Sequence, residues 1–417
     1  MTVTSKAPSV FDSDLPTLNY PLAASPHDIL DDIRTAQARA AIAIGPFGPE
    51  ILSYELSRDM LRDNRFRLPP GITLAAQGIT SGPLFDKMAN SLLGLDGPPH
   101  VRLRKLVSKA FTPRATSRLQ DTIQEVVNGL VDQVMDAGQC DVVTDIARPY
   151  PTPIMCALIG APKDDWHLFV DWTEEVFKAL NFQPDVTFDE SETMRAWGEL
   201  DAYVDDMVAT RRNSLTDDLL SELIRAESDG DRLNLDELRM LVAGFLMAGT
   251  DTTRNQLAAS VQVLCEHPDQ WAKLREQPEL AMQAVEESMR HSPAASIAPR
   301  VATEDIEFGD YLFPEGTFIL VNTFAANRDP AIYHDADRFD ITRTDLPPIL
   351  TFGGGAHYCL GANLARRELA EALVVLTRRL DAPRRTGPAP WKSLLGITGP
   401  TTLPIEFNSR RRVAAHA

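Results

Sequence analysis

The longest periodic segment of the sequence sets the scale of the fold. Asn234 is suited to cap a helix, and Glu237 three residues later completes a capping box. Apolar residues then recur at helical spacing from Leu238 onward, and the pattern ends near Glu266. We therefore predict one helix of roughly 32 residues, about 48 Å long. A helix of that length crosses a whole domain.

Shorter predicted elements follow this helix. One helix is predicted over residues 278–291, and a last long helix begins near Ala362. Between them, residues 297–321 are strand-like, with turn signals around Gly309 and Gly316. The chain is therefore predicted to be mainly helical, with a smaller β component.

No linker or internal repeat divides the chain into parts. Residues 1–20 carry scattered Asp, Ser and Pro without an apolar core, and both ends of the sequence are typical of loosely ordered termini. We predict a flexible N-terminal segment at residues 1–20, a single domain at residues 21–408 and a flexible C-terminal tail at residues 409–417.

The charge and cysteine content narrow the class of protein. With 41 basic and 59 acidic residues the formal charge is −18, which disfavours nucleic acid and anionic membranes as partners. No apolar run is long enough to span a membrane, and the N-terminus does not resemble a signal peptide. The four cysteines form neither a CxxC pair nor a disulfide framework. We expect a cytoplasmic monomer.

The most informative stretch is the glycine-rich run around Cys359, residues 352–361. A metal-bound thiolate needs a backbone that passes close under a flat ligand, which glycines permit. It also needs positive potential, which the N-terminus of the helix starting near Ala362 supplies. Phe352 is placed to cover the sulfur from water. A lone cysteine beside a glycine-rich turn is more often a buried structural residue. The spacing of all the residues around Cys359 therefore has to decide between a structural cysteine and a metal ligand.

That spacing resembles the haem-ligand signature of the cytochrome P-450 family, F-G-x-G-x-H-x-C-x-G, at all six fixed positions. The resemblance implies a mainly α fold, a single large triangular-prism cytochrome P-450-type domain with small β-sheets. It also implies haem b, an iron protoporphyrin IX, as cofactor. The cofactor-binding loop would contribute Cys359 as the iron ligand together with Phe352, Gly353, His357 and Gly361.

The middle of the long helix, residues 248–254, is unusual for a helix interior. Gly249 costs about 1 kcal/mol relative to Ala, and three threonines and Asp251 compete for backbone hydrogen bonds. One interpretation is a harmless kink whose polar residues face water. The segment also resembles the family motif A-G-x-D/E-T-T, beginning at Ala248. By that resemblance Gly249 leaves room for O2, Thr252 donates a hydrogen bond beside the iron, and Asp251 relays protons.

Glu287 and Arg290 match the family's E-x-x-R motif, a pair that shares one helical face. By chance alone such a pair is a solvated surface contact. The resemblance gives it a structural role behind the cysteine loop, with an arginine of a P-E-R-F motif as third partner. Here the sequence reads Ala-Asp-Arg-Phe, so the assignment of Arg338 to that role rests on a partial match.

Four basic residues match the family's contacts to the haem propionates. His100 and Arg104 fit an H-x-x-x-R pattern on one helical face, and Arg300 and His357 complete the set. A buried carboxylate needs such cationic or hydrogen-bonding partners. His100 alone would more often be a surface histidine.

The resemblance places the substrate pocket above the haem, lined by separate and mostly apolar segments. The aromatic members are equally suited to pocket walls and to plain core. An apolar cavity favours a terpenoid, steroid, fatty or aromatic substrate. The predicted pocket residues are Leu74, Phe85, Phe177, Phe182, Leu246, Met247, Ile297, Leu395 and Ile397.

The leading hypothesis is a monooxygenase that inserts one atom of O2 into an apolar small molecule. Electrons would come from NAD(P)H through a reductase and a ferredoxin of the 2Fe-2S or 3Fe-4S type. The ferredoxin would dock behind Cys359, where Arg102, Lys105 and Lys109 are either contacts or ordinary surface charges.

The sequence also leaves epoxidation or ring coupling open as an outcome of the same chemistry. Two alternatives of other kinds remain at this point. One is a peroxygenase driven by H2O2, and the other is a haem-binding sensor or carrier without turnover. The adjacent acid and alcohol at Asp251 and Thr252 disfavour both.

Overall fold

The computed structural model describes residues 7–69, 71, 74–75, 77–180, 188–228, 233–344 and 346–409. Within these ranges the chain is mainly helical and carries three small sheets, as the sequence predicts. Among the described helices, none is both long and apolar enough to cross a membrane.

The helices differ widely in length, and the longest are α9, α11 and α15. Short 3-10 turns and a π-helix at Val142–Ala147 join some of them. In chain order the α-helices are α1 Leu30–Gln37, α2 Tyr54–Met60, α3 Pro83–Ala89, α4 Gly97–Val107, α5 Pro113–Thr116, α6 Gln120–Val134, α7 Pro151–Ile159, α8 Trp166–Leu180, α9 Glu190–Asn213, α10 Leu219–Ser228, α11 Leu235–Glu266, α12 Pro268–Glu276, α13 Ala281–His291, α14 Thr323–Ala326 and α15 Ala362–Arg379.

The strands form a five-stranded sheet of order β1-β2-β8-β5-β3, a three-stranded sheet of order β4-β10-β9 and the hairpin β6-β7. Strands β2 and β8 are parallel, and the other pairs are antiparallel. The strands are β1 Ile42–Gly45, β2 Gly48–Ile51, β3 Phe66–Arg67, β4 Gln139–Asp141, β5 Ile297–Ala302, β6 Ile306–Phe308, β7 Tyr311–Phe313, β8 Phe318–Asn322, β9 Leu380–Arg385 and β10 Pro404–Ser409.

The predicted long helix is confirmed as α11, which runs through the main hydrophobic core. Asn234 and Glu237 form both hydrogen bonds of the capping box, at 2.8 and 3.0 Å. Most apolar side chains from Leu238 to Leu264 are buried. The helix continues through Gly249 without a break. Apolar packing along its whole length therefore offsets the poor local helix propensity of its middle.

The N-terminal residues contradict one expectation. Residues 1–6 lie outside the described part, but Val10, Leu18 and Tyr20 are buried. Tyr20 donates a hydrogen bond to the buried carboxyl of Glu50 at 2.5 Å. The expected flexible segment at residues 1–20 is therefore wrong for residues 10–20, because widely spaced apolar side chains insert into the sheet region. Of the expected C-terminal tail, Ser409 ends β10 and the remainder is outside the described residues.

Glu287 and Arg290 are a buried ion pair on α13, so the surface alternative is excluded. Arg290 Nε and Nη2 donate to the two carboxylate oxygens of Glu287 at 2.7 and 2.9 Å. Its remaining N–H groups reach the carbonyl oxygens of Asn327, Ala336 and Arg338 at 2.6–3.1 Å. The pair therefore fixes the irregular chain that leads to the cysteine loop.

The third side chain that contacts the Glu287–Arg290 pair is Arg343, which corrects the assignment of Arg338. Arg343 Nε lies 3.2 Å from Glu287 Oε1, and its side chain is 13% exposed. The side chain of Arg338 is 66% exposed and lies 3.4 Å from Asp340. The chain turns between the two positions, so the arginine that points inward is the one five residues later. Arg338 takes part only through its backbone carbonyl, which accepts hydrogen bonds from Arg290 and Arg343.

We expect Arg343→Gln to lower the free energy of unfolding by about 1–3 kcal/mol, because Glu287 loses a charged donor in a buried site. Arg338→Gln is the matched control and should stay within about 0.5 kcal/mol. Urea unfolding of both variants measures the difference. Equal effects would contradict the assignment of Arg343.

Candidate active site

Two side chains are exposed in places where the surrounding chain is core. Ala248 is exposed although most of its neighbours along α11 are buried. Cys359 is exposed as well, yet protein encloses it so closely that burial raises the pKa of its thiol. Thr252, one turn after Ala248, is only half-buried. Each of these groups therefore borders a space that protein atoms leave open.

The cysteine loop is shaped by glycine and by backbone hydrogen bonds. Gly355 has a φ of +63°, and a Cβ there would lie 2.4 Å from the carbonyl oxygen of Leu61, so only glycine fits. The N–H of Cys359 donates to the carbonyl of Phe352 at 2.9 Å, which closes the loop. The ring of Phe352 lies 4.4 Å from the guanidinium carbon of Arg366. The backbone hydrogen bond and the contact between Phe352 and Arg366 thus both hold the loop in place.

The surroundings of Cys359 favour its thiolate in part. Burial raises the pKa of the Cys359 thiol, whereas a hydrogen bond from the N–H of Gly361 and the charges of Arg104 and Arg366 oppose this rise. Gly361 directly precedes α15, so the free end of that helix adds positive potential. A cation bound to the sulfur would supply the missing stabilisation.

Three of the four predicted basic residues meet beside the loop, and Asp96 joins them. The rings of His100 and His357 are 4.4 Å apart, and His357 Nε2 lies 3.0 Å from Asp96 Oδ1. Arg300 is buried, and burial lowers its pKa to about 10, with the charge of Asp96 acting against this. Among the described residues no carboxylate forms a hydrogen bond with Arg300, whose Nη1 donates to the carbonyl of Pro299 at 2.7 Å.

Two buried polar atoms in this cluster lack a partner, namely His100 Nδ1 and Asp96 Oδ2. The fourth predicted residue, Arg104, donates to the carbonyl of Tyr358 and is close enough to Cys359 to affect its charge. Asp96 is not among the site residues predicted from the sequence. Its position four residues before His100 is the signal that would have found it, since both lie at the start of α4.

The acid and the alcohol of α11 point to different surroundings. Asp251 is fully buried, and its Oδ1 accepts from Arg254 at 2.7 Å and from Asn255 at 3.1 Å. Thr252 donates its hydroxyl proton to the carbonyl of Ala248 at 2.8 Å. In this structure the hydroxyl proton of Thr252 is therefore engaged within the helix, and its hydrogen bond beside the iron stays a prediction. Its oxygen is left to accept a hydrogen bond from the open side.

Gly249 serves helix packing in this structure. A Cβ at Gly249 would lie 2.5 Å from the sulfur of Met155 on α7, a fully buried side chain. In this structure the space where that Cβ would lie is filled by Met155, and the room for O2 beside Gly249 stays a prediction. The side chain that borders open space is that of Ala248, one position earlier.

The predicted pocket residues fall into three groups. Leu74, Phe85, Phe177 and Met247 pack together in one apolar cluster with Trp197 of α9. Leu246 instead lies in the main core, because successive helix residues point about 100° apart. Phe182 lies outside the described residues.

Ile297, Leu395 and Ile397 come from a second region. A β-bridge pairs Ala295 with Ile397, and Thr398 N donates to the carbonyl of Ala294 at 2.9 Å. Leu395 is buried, and Ile297 and Ile397 are half-buried. The C-terminal loop therefore lies directly against the segment that precedes β5.

Of the three basic residues proposed as partner contacts, Arg102 is paired with Glu237 at the start of α11. Lys105 and Lys109 are exposed. Arg102 therefore connects two helices, and only the lysines remain as open surface charges of this group.

The donor set fits a haem. A thiol with an open face and positive surroundings suits an iron ligand. Arg300 is buried without a carboxylate hydrogen-bond partner, and His100 Nδ1 is buried without any partner, so both suit the two propionates, because burying such groups unpaired is costly. Among the described residues, Asp96 is an acidic group whose charge acts on both of them. The residues present are thus consistent with the cofactor that the sequence predicts.

Comparison with known proteins gives the same answer. Residues 83–386 match the protein family described as Cytochrome P450. The chain is 38% identical to luteothin monooxygenase of Streptomyces thioluteus, over 95% of this chain and 97% of that protein. It is 37% identical to mycinamicin IV hydroxylase/epoxidase of Micromonospora griseorubida, over 86% and 90%. The solved structure of epothilone B-bound P450epoK superposes with a TM-score of 0.85 at 26% identity, covering 94% of this chain and 100% of that one.

Gly249→Ala tests the packing of α7 on α11. We expect it to lower the free energy of unfolding by about 1 kcal/mol or more, because overpacking against Met155 outweighs the gain in helix propensity. Gly244→Ala is the control in the same helix, since a Cβ there meets no atom within 4 Å. Gly244→Ala should raise the free energy of unfolding by several tenths of a kcal/mol to about 1 kcal/mol. Calorimetry of both variants decides, and equal stabilisation would contradict this packing.

Proposed function

The chain belongs to the cytochrome P450 family and is a haem-dependent monooxygenase, and we propose that it hydroxylates an apolar small molecule. The observation that carries the proposal is Cys359, which protein encloses although one side of its thiol stays open. Its thiolate would hold the iron of haem b, and Phe352 would shield the sulfur from water. Bound there, the haem supplies the activation of O2 that the reaction requires.

We propose that the basic cluster beside the loop holds the propionates. Arg300 and His100 would donate to them, since both are buried and lack other acidic hydrogen-bond partners among the described residues. His357 would add a donor while Asp96 fixes its ring at 3.0 Å. Arg104 would bind less directly, because it already donates to the carbonyl of Tyr358.

We propose that Asp251 and Thr252 deliver protons to the open side of α11. The lone pairs of Thr252 accept a hydrogen bond there, because its proton is donated to Ala248. Asp251 takes protons from the outer side of the helix and passes them on through water. This pair supports an O2-driven enzyme over a peroxygenase, which has no need of a proton supply for O2.

The substrate would lie against the cluster of Leu74, Phe85, Phe177 and Met247. These side chains carry no charge, which favours an apolar terpenoid, steroid, fatty or aromatic molecule. The relatives act on different compounds by name, so their similarity does not select one. Ile397 and its neighbours would form the opposite wall.

The electrons would come from NAD(P)H through a ferredoxin and its reductase. A docking face behind Cys359 would include Lys105 and Lys109, which are exposed on the helical segment after His100. Exposed basic residues suit an acidic partner protein and raise its association rate.

The reduced carbon monoxide difference spectrum tests the proposed ligand. We expect Cys359→Ser to lose the Soret band typical of thiolate ligation, because an alcohol does not ionise in its place. Cys265→Ser should keep that band, since Cys265 lies at the end of α11 in the main core. A thiolate band that survives in Cys359→Ser would refute the proposal.

Coupling of NADH to product tests the relay. We expect Thr252→Ala to release several-fold more H2O2 per NADH, because the hydrogen-bond acceptor on the open side is lost. Thr250→Ala removes an equivalent back-bond, to the carbonyl of Leu246 at 2.9 Å, but from a buried position. It should couple like wild type once substrate is found by screening apolar compounds for a spin-state shift. Equal uncoupling in both variants would mean a general helix effect.

A further inference from the structure

The polar residues behind Asp251 hold only one of its two carboxylate oxygens. Oδ1 accepts from Arg254 Nε at 2.7 Å and from Asn255 Nδ2 at 3.1 Å. Oδ2 is buried and has no hydrogen-bond partner. An unsatisfied buried oxygen costs about 1–3 kcal/mol, so Oδ2 is the atom on which a proton or a water is expected to bind.

The outer charges of this network cancel. Arg254 Nη1 lies 3.0 Å from Glu174 Oε1, and Arg148 Nη2 lies 2.6 Å from Glu174 Oε2. Asp251, Arg254, Glu174 and Arg148 therefore alternate in sign and sum to zero. Any further charge beside them has a role that this chain of ion pairs does not explain.

Lys392 is that further charge. It comes from the loop after β9, far from α11 in sequence, and its Nζ donates to Asn255 Oδ1 at 2.9 Å. This acceptor is a neutral amide, and among the described residues no carboxylate forms an ion pair with Lys392. An ammonium held by an amide oxygen gains little for stability, which points to a role in orienting Asn255.

The ammonium and two acceptor oxygens of Asp251 together set which way the amide of Asn255 faces. An ammonium group only donates hydrogen bonds, so the amide oxygen must point to Lys392 and the amide NH2 to Asp251. Asn255 Nδ2 also donates to the backbone carbonyl of Asp251 at 2.8 Å. A reversed amide would set NH2 against the ammonium and oxygen against the carboxylate, which is doubly unfavourable.

Water reaches this network from outside. Lys392 and Asn255 line a cleft of about 250 Å³ together with Thr144, Arg148 and Arg254. The remaining lining is mostly apolar, but these side chains place polar groups in a cleft that has room for several waters. The cleft therefore connects bulk solvent to the outer side of α11, directly behind Asp251.

We propose that Lys392 is a positioning residue of the proton relay and acts through Asn255. By fixing the amide it holds Oδ1 of Asp251 and leaves Oδ2 free to exchange protons. A proton passes from water of the cleft to Oδ2 and then leaves Oδ2 on the Thr252 side, which returns Asp251 to its charged form. This inference rests on the proposed monooxygenase function.

The pH dependence follows from the groups that face Lys392. These are Asp251 and Arg254 of α11, Glu174 of α8 and Arg148. Burial lowers the pKa of Lys392, and the charge of Asp251 acts against this. Lys392 thus loses its proton at a lower pH than an exposed lysine, and the orientation of Asn255 weakens as the pH rises through that pKa.

The turnover experiment compares Lys392→Met with Lys392→Arg. The haem-loaded enzyme is supplied with NADH, a 2Fe-2S ferredoxin and its reductase, without added substrate. H2O2 released per O2 consumed is measured from neutral to alkaline pH. We expect Lys392→Met to raise this ratio several-fold and to remove its alkaline rise. Lys392→Arg should resemble wild type, with the rise moved to higher pH.

Lys163→Met is the control, because Lys163 is exposed and pairs only with Glu125 at 2.9 Å. It should match wild type throughout. A ratio and pH profile unchanged in Lys392→Met would overturn the proposal. A similar loss in Lys392→Arg, at unchanged thermal midpoint, would overturn it too, because the orienting charge would then be irrelevant.

A crystal structure of Lys392→Met gives a readout without turnover. We expect the contact between Asn255 Nδ2 and Asp251 Oδ1, now 3.1 Å, to be lost or reversed. Retention of this contact would overturn the proposal whatever the turnover data show. If the contact is lost in Lys392→Met but the wild type consumes no O2 with NADH, the proposed function is contradicted. The positioning of Asp251 by Lys392 is then still supported.

Discussion

The structure depends on the difference between buried charges that the chain itself neutralises and buried charges that it leaves open. Arg290 has every N–H group directed at Glu287 or at a backbone carbonyl, so it holds the fold together. Arg300 is equally buried, but its described hydrogen bond goes only to the adjacent carbonyl. An isolated buried ion costs several kcal/mol. The first arrangement is therefore complete without a ligand, whereas the second leaves Arg300 able to donate hydrogen bonds to an anionic one.

The long helix α11 has to serve the core and the site at once. Its N-terminal end is capped at Asn234, and towards its other end every residue from Asn255 to Leu264 is buried. Its middle places Ala248 and Thr252 toward open space, Gly249 against Met155 and Asp251 toward the cleft. Because successive residues turn by about 100°, these four positions within five residues address three different surroundings. The mixed sequence of this segment reflects those demands rather than a weak helix.

Parts of the fold and of the site were predictable because they depend on residues that are close together in the sequence. The capping box and the glycine-rich loop of Cys359 depend on residues a few positions apart, so the sequence alone identifies them. Arg343 was missed because its inward direction depends on how an irregular segment turns. Asp96 and the packing of Gly249 were missed for a related reason. Their partners, His357 and Met155, are far away in the sequence and come close only in the folded chain.

The segment from Trp391 to Pro400 shows why distant contacts matter for the chemistry. A β-bridge joins its two ends, and Lys392 N donates to the carbonyl of Gly399 at 3.0 Å. One end holds Asn255 through Lys392, while the middle places Ile397 against Ala295 at the proposed substrate wall. A short, hydrogen-bonded loop transmits displacement better than a flexible one. A substrate bound at Ile397 would therefore contact the same loop that carries Lys392, the residue proposed to orient the amide behind Asp251.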